Sequence, residues 1–475
     1  MPASPRYRPA PLFATLGPEF ADPVAAAGFP QLILRHRNNE WAARIGLDTL
    51  SPAEWLAHFG RFEPLSGNMA APLAMRYHGH QFRTYNPNIG DGRGFLFAQV
   101  RDGAGRLLDL GTKGSGQTPY SRFGDGRLTL KGGVREVLAA AMLEARGVYT
   151  SKALSLIETG EALTRGDEPS PTRSSVLVRL SHSHIRFGSF QRLAYEQRPD
   201  LTLQLIEHVA EAYYPDLADA PDLPAALFGE IVEANALLAA SWMAAGFVHG
   251  VLNTDNLNVT GESFDYGPWR FLPHVDPAFT AAYFDETGLY AYGRQAEAVS
   301  WALAQLGGAF LSAAPQEALE AALARFGPAY QAAIVARTLA RLGLPTGRAK
   351  DDLAFVQALF DWLAETRAPF DQFFHDWIGA DAARAAASPE AARYADAGFS
   401  PIREGLEARA TGSAPAHPYF QRPRPVSLVI DEVEAVWAPI AARDDWSAFD
   451  AKLEEIAELA AAEQLGRHAN VASEA

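Results

Sequence analysis

Strand signals and helix signals do not alternate along this chain; they are separated. From about residue 66 to 190 the sequence is glycine-punctuated and rich in β-forming runs, and beyond about 200 it turns helical. Strands and helices gathered into separate runs specify an α+β architecture, because a parallel α/β sheet needs them interleaved. Within the first run, Phe95-Leu96-Phe97-Ala98-Gln99-Val100 reads as a strand, Asp102-Gly103-Ala104-Gly105 as a turn, and Leu107 to Lys113 as the returning strand. Val134 to Arg146, stopped by Gly147, reads as a helix. Pro224 to Ala245 reads as a long apolar helix capped by Gly246, and Leu353, Val356, Phe360 and Leu363 mark the apolar stripe of a later one. The expected division is an N-terminal extension with short helices (1–65, one starting at Ser51-Pro52-Ala53-Glu54), a small sheet-bearing lobe (66–190), a helical lobe (191–320) and a helical C-terminal region (321–475). A ligand cleft belongs between the two lobes, and the last residues, Asn470 to Ala475, are expected to fray.

With no cysteine, the chain has neither disulfides, thiolate ligands nor a cysteine nucleophile, which suits a reducing, cytoplasmic setting. Met1 to Pro11 is rich in Pro and Arg and does not read as a secretory signal. The most apolar long segment, Ala234 to Leu252, contains Asn235, Ser241 and His249, so it reads as a buried helix running into a loop rather than a membrane span. A net charge of −15 argues against nucleic acid as a partner. Between Arg76 and Arg135, however, ten Lys and Arg face only four Asp, a surplus of six positive charges. Such a field suits a small polyanion such as a nucleoside triphosphate; charge alone leaves open a clustering on a solvated face.

Two constellations carry chemistry. Gly90-Asp91-Gly92-Arg93-Gly94 precedes the hairpin, Lys113 closes its second strand, and Glu136 lies early in the next helix. That is the order of the glycine-rich loop, strand lysine and helix glutamate of protein kinases, in which the lysine meets phosphate and the glutamate orients it. A structural turn and a solvated lysine are the other readings of these segments taken singly. The Walker A spacing is absent around Lys113. Lys113-Gly114-Ser115-Gly116 and Gly124-Asp125-Gly126-Arg127 add a second glycine-rich, basic loop; Arg179 and Arg186 are candidates for bidentate phosphate contacts, and taken singly each reads rather as a surface or structural arginine.

The second constellation is His249-Gly250-Val251-Leu252-Asn253-Thr254-Asp255-Asn256. Laid on the kinase pattern His-Arg-Asp-x-x-x-x-Asn, its outer residues match, but Val251 stands where the catalytic aspartate belongs and Asp255 precedes the final asparagine. Leu257 to Asp265 reads as a hairpin turning at Thr260-Gly261-Glu262, which would bring Asn256 and Asp265 to one end. Amide and carboxylate oxygens there suit Mg²⁺ or Mn²⁺. His249, His182 and His184 read as hydrogen-bonded structural histidines.

From Asn68 to Trp301 these segments resemble the selenoprotein O family, kinase-like proteins that transfer AMP to protein hydroxyls. The resemblance rests on Gly79-His80-Gln81-Phe82, Gly90-Asp91-Gly92-Arg93, Lys113-Gly114-Ser115-Gly116, Asp125-Gly126-Arg127, Ser183-His184-Ile185-Arg186, the octapeptide at His249, and Asp265-Tyr266-Gly267-Pro268. It implies a two-lobed kinase-like fold with ATP inverted relative to ordinary kinases. Gly90, Gly92, Arg93, Lys113, Asp125, Gly126, Arg179 and Arg186 would hold the nucleotide, Glu136 would pair with Lys113, Asn256 and Asp265 would bind Mg²⁺ or Mn²⁺, and Asp255 would be the general base. The implied donors are ATP or UTP, and the implied acceptors are Ser, Thr or Tyr hydroxyls of proteins, the chain itself included. The family's glycine after His-Gln-Phe is Arg83 here, and its C-terminal Asn-Pro region matches His417-Pro418-Tyr419-Phe420 only loosely. The C-terminal redox control of relatives has no cysteine or selenocysteine to act through, and their mitochondrial address finds no support in this N-terminus. Two rival readings remain: γ-phosphoryl transfer by a conventional kinase-type mechanism, and a catalytically silent ATP-binding scaffold.

Overall fold

The expected hairpin forms, and an antiparallel sheet grows outward from both of its strands. The computed structural model describes residues 4–166, 168–410 and 417–464, so the end at Asn470 to Ala475 lies outside the described residues. Its first ten strands are β1 (Ala21–Pro23), β2 (Ile33–Arg37), β3 (Leu73–Met75), β4 (Gly79–Gln81), β5 (Thr84–Asn86), β6 (Leu96–Arg101), β7 (Leu107–Lys113), β8 (Leu128–Thr129), β9 (Lys152–Leu163) and β10 (Thr172–Ser181). The main sheet runs β1-β3-β6-β7-β10-β9-β2 with β8 also on β10, while β4 and β5 make a separate ribbon. All its pairings are antiparallel. Residues 1–65, read as an irregular extension, supply both outermost strands of the path.

Side chains on a strand alternate between faces, and here the two faces have different neighbours. Leu108 and Leu110 of β7, with Val176, Val178 and Leu180 of β10, pack against Trp41, Trp55 and Phe59 of the helices α1 (Asn39–Arg44) and α2 (Pro52–Phe59). The α2 helix starts as expected at Ser51, whose hydroxyl and Glu54 close a capping box. The other face carries Leu107 and Leu177 against α3 (Leu130–Ala145). The same alternation therefore sends Lys113 and Arg179 toward α3, since Arg179 pairs with Gly111, two residues before Lys113.

The helical part continues with α4 (Phe187–Tyr195), α5 (Pro199–Tyr213), α6 (Leu223–Ala245), α7 (Gln295–Phe310), α8 (Gln316–Leu323), α9 (Phe326–Arg341) and α10 (Ala349–Thr366). Helices and antiparallel sheet together make an α+β fold. By length and composition α6 is able to cross a membrane, but Leu227, Phe228, Ile231, Val232, Leu238 and Trp242 are buried in the core. It ends at Gly246, whose φ of 65° is the left-handed cap that glycine adopts without strain. On α10 the buried face is Phe355, Val356, Leu359, Trp362 and Leu363, so the expected stripe is turned and Leu353 lies exposed.

The C-terminal helix Ser447–Glu463 lies against α3. Just past the end of α3, the buried Arg146 guanidinium binds Glu463 at 2.5 Å and Asp371 at 2.9 Å. Removing one member of a buried ionic cluster strands the others without solvent. Arg146→Ala is therefore expected to destabilise the protein by about 3–5 kcal/mol, measured as the shift in urea midpoint; a loss within experimental error would show that the network is dispensable.

Candidate active site

The face turned toward α3 carries buried charge among its apolar side chains. Lys113, buried to 2% exposure, reaches Glu136 on α3 and binds Asp265 Oδ1 at 2.5 Å on the other side. Burial pulls its ammonium below the ordinary lysine value, against the opposing pull of Asp265 and Glu136. Arg179 Nη2 adds a contact of 3.3 Å to the same Asp265 oxygen. Burial alone would raise the Asp265 carboxyl, but Lys113, Arg179, Arg93 and Arg186 hold it well below the usual carboxylate range. Asp265 sits at φ 63°, a left-handed conformation that Asp tolerates better than most residues.

These groups face a cavity of about 690 Å³, within the range of small-molecule sites. Its wall includes Gly90, Gly92, Arg93, Lys113, Asp125, Gly126, Arg179, Arg186, Asp255 and Asp265. Every nucleotide-holding and base residue expected from the sequence thus lines it, apart from Glu136, which stands behind Lys113. The wall carries seven cationic and four anionic side chains, a surplus of three positive charges in a chain of net charge −15.

Many of the cations' donors are unspent. Arg179 Nε and Nη1 and Arg186 Nε are buried without a hydrogen-bond partner, and Arg93 is exposed. Buried unsatisfied donors cost about 1–3 kcal/mol each, so they mark where a polyanion would bind. Arg186 is fixed on the cavity wall by its neighbours. It lies between the rings of Tyr77 (4.6 Å) and Phe264 (4.9 Å), donates to Asp255 O at 2.9 Å, and meets Asp91 at 3.3 Å. The glycines have packing reasons of their own. A Cβ at Gly90 would lie 2.5 Å from the Tyr120 ring, and Gly126, at φ 69°, would bring one within 2.2 Å of Gly116 O. The Asp125 carboxylate is engaged by Arg165 at 2.8 and 3.1 Å.

The loop at Asp255 differs from expectation in one respect. Residues 257–265 do not close as a hairpin: each arm bonds outward instead. Leu257 O accepts from Phe187 N, Val259 N donates to Ile185 O, and Ser263 exchanges backbone bonds with Tyr149 and Ser151. The turn between them is closed by Asn258, whose Oδ1 accepts from Thr260 N at 3.0 Å. The partners supplied by the segment between α3 and β9 and by the start of α4 outcompete the local pairing. Asn256 ends a short 3₁₀ turn, and its Nδ2 donates to Val251 O at 3.1 Å; it does not line the cavity. His249 is structural as read, with Nε2 at 3.0 Å from Phe264 O.

Asp255 is the frustrated carboxylate of the cavity wall. Its Oδ1 is buried without a partner, and burial raises its carboxyl to about 6, against the lowering influence of Arg186. Gln81 on β4 also lowers it, a role the sequence reading did not assign, although Gln81 lay within a recognised segment. Tyr77, Asp91, Tyr120 and Arg165 were likewise unassigned as wall residues; Asp91 lay within the recognised glycine-rich segment, and the others come from turns and strand ends that carry no spacing signal. Arg83, where the resemblance expects glycine, does adopt φ 63°. It is held there by Glu297 at 3.0 Å and by stacking over Trp301.

With its folded pKa raised from 3.8 to about 6, Asp255 binds its proton more tightly in the folded chain. Its contribution to stability is thus full below pH 4 and is lost as pH rises through 6. Asp255→Asn should accordingly make the metal-free protein more stable than wild type by about 1–3 kcal/mol at pH 7.5, with the gap closing near pH 4.5. Urea denaturation at the two pH values measures this, and an equal gap at both would refute the frustrated charge.

The family model described as protein adenylyltransferase SelO matches residues 5–397. The protein nucleotidyltransferase YdiU of Synechococcus elongatus is 48% identical over 94% of both chains. Its counterpart in Gloeobacter violaceus is 46% identical over 93% of both, and that of a Synechocystis species is 43% identical over 94% of this chain and 96% of its own. The chain belongs to the SelO family of protein adenylyltransferases.

Proposed function

We propose that this member of the SelO family transfers AMP from ATP to Ser, Thr or Tyr hydroxyls of proteins, on a two-lobed kinase-like scaffold with ATP inverted. The observation that carries the reading is the presence on one cavity wall of Asp255, with an unpartnered buried oxygen, and of Arg179 and Arg186, with three unpartnered guanidinium nitrogens among the described residues. A base and an anion cradle on one cavity suit attack of an oxygen nucleophile on a phosphorus centre. Transfer of UMP from UTP is the same chemistry with another base.

In this mechanism Arg93, Arg179, Arg186 and Lys113 bind and orient the triphosphate, and Glu136 holds Lys113 at the cavity wall. Asp255 accepts the proton of the acceptor hydroxyl as its oxygen bonds to the α-phosphorus. The bond between the α-phosphorus and its bridging oxygen breaks, and pyrophosphate leaves. A carboxylate raised to about 6 is a stronger base than an ordinary aspartate and is still ionised near neutrality. Asn256 and Asp265 would hold Mg²⁺ or Mn²⁺ together with phosphate oxygens. Asn256 spends its Nδ2 on Val251 O and the Asp265 carboxylate lies on the cavity wall, and amide and carboxylate oxygens are the donors a hard cation takes. Among the described residues no cluster of three or more His, Asp and Glu forms a ready-made cage, in keeping with a cation that is completed by the nucleotide. When bound, the ion would offset the negative charge that develops on the phosphates.

Val251 bears on the γ-phosphoryl rival, since a conventional kinase base belongs at its position. Asp255→Ala should reduce pyrophosphate release and AMP transfer by about 10²–10⁴-fold while ATP affinity, measured by calorimetry, stays within a few-fold. Undiminished self-labelling by the variant would remove Asp255 from the role of base. Chelation with EDTA should abolish transfer and Mn²⁺ or Mg²⁺ should restore it; full activity in EDTA would contradict the assigned ligands.

A further inference from the structure

The surface beside the Asp255 loop carries an exposed aromatic pair that the fold does not use. Tyr283 and Phe284 are 84% and 48% exposed, with ring centroids 5.1 Å apart. Phe284 leans on Phe82 at 5.9 Å, and Phe82 in turn packs on Tyr290 at 5.0 Å. The Tyr290 hydroxyl donates to Asn253 Oδ1 at 2.8 Å, and the same oxygen accepts the Phe82 N–H at 3.0 Å. Asn253 and Thr254 immediately precede Asp255, and Thr254 Oγ1 accepts the His80 N–H at 2.7 Å. A continuous run of contacts thus joins the aromatic pair to the loop carrying the proposed base.

The segment is also rigid and negatively charged. The buried Asp285 carboxylate accepts the N–H groups of Leu289 and Tyr290 at 2.9 and 2.8 Å, which fixes the turn after the pair. Glu286 is exposed and has no ion-pair partner among the described residues. Arg83 and Arg294, on adjoining elements, are both taken up by Glu297 at 3.0 Å. This surface therefore sets exposed rings beside the unpaired carboxylate of Glu286, whereas the cavity wall carries a cationic surplus. Exposed aromatic side chains next to a functional site commonly anchor a partner.

We infer that Tyr283, Phe284 and Glu286 form the docking surface for the acceptor polypeptide. The surface takes an extended segment with an apolar side chain and a Lys or Arg near the acceptor hydroxyl. The inference rests on the nucleotidyl-transfer reading of Asp255. The hydroxyl must reach the unpartnered carboxylate oxygen, so its flanking residues lie on whatever surface adjoins that loop. The apolar side chain is matched to the rings and the cation to Glu286.

The test uses the full chain and two peptides of twelve residues with one central serine. One has phenylalanine and arginine flanks; the other has glutamate and glycine in their places. Peptide binding is read by fluorescence anisotropy in the presence of a non-hydrolysable ATP analogue and Mg²⁺, and AMP transfer is read by mass. The first peptide should bind more tightly than the second. The double variant Tyr283→Ala, Phe284→Ala should weaken its binding about tenfold or more, with the KM for ATP moving less than about twofold, as expected for a surface that only the acceptor touches. Glu286→Lys should reverse the preference between the peptides. Equal binding of both peptides to wild type, or unchanged binding by the double variant, overturns the docking surface. If the binding pattern holds but no AMP reaches peptide or enzyme, the docking surface stands and the transfer reading falls.

Discussion

The site depends on one buried cation held by two carboxylates from different parts of the chain. Lys113 ends a central strand, Glu136 comes from the helix packed on that strand, and Asp265 comes from a loop about 150 residues away in sequence. Desolvating such charges costs several kcal/mol per ion, and the cost is offset only while all three remain together. The ionic contact therefore fixes the spacing between sheet, α3 and loop. Arg179 closes the charge balance around Asp265, and with Arg186, which also lines the cavity, it keeps buried donors that nothing among the described residues satisfies.

The rest of the fold supports that spacing. Strand alternation turns Lys113 and Arg179 to the same face, and the α1 and α2 helices cover the other. The C-terminal helix, the part of the sequence with the least informative pattern, braces α3 through Glu463 and Arg146. Its contribution to the site is thus indirect: it holds the helix that holds Glu136.

What was legible in the sequence was what period and chemistry determine locally. The β6–β7 hairpin, the α2 capping box, the Gly246 cap and the order of glycines, lysine and glutamate follow from side-chain alternation, cap residues and turn residues. The residues expected to hold the nucleotide, Glu136 apart, and the expected base line one cavity, while Asn256 does not; the resemblance runs through all of their segments. Three features were not legible. The outer strands β1 and β2 are short, and their pairing is long-range. The 257–265 segment was read from its own turn residues, but Tyr149, Ser151, Ile185 and Phe187 supplied backbone partners that no local pattern announces. The α10 stripe turned because Phe355, Leu359 and Trp362 pack better inward than Leu353 does.

In the proposed mechanism the base stands at Asp255 rather than at the position of Val251, and the α-phosphorus is the atom attacked. Incubation of the full chain with Mg²⁺ and ATP labelled at either the α- or the γ-phosphate tests this most directly. The account predicts that acid-stable protein-bound label comes from the α-labelled nucleotide alone, with γ-label recovered as pyrophosphate. Retention of label from the γ-position alone would contradict it.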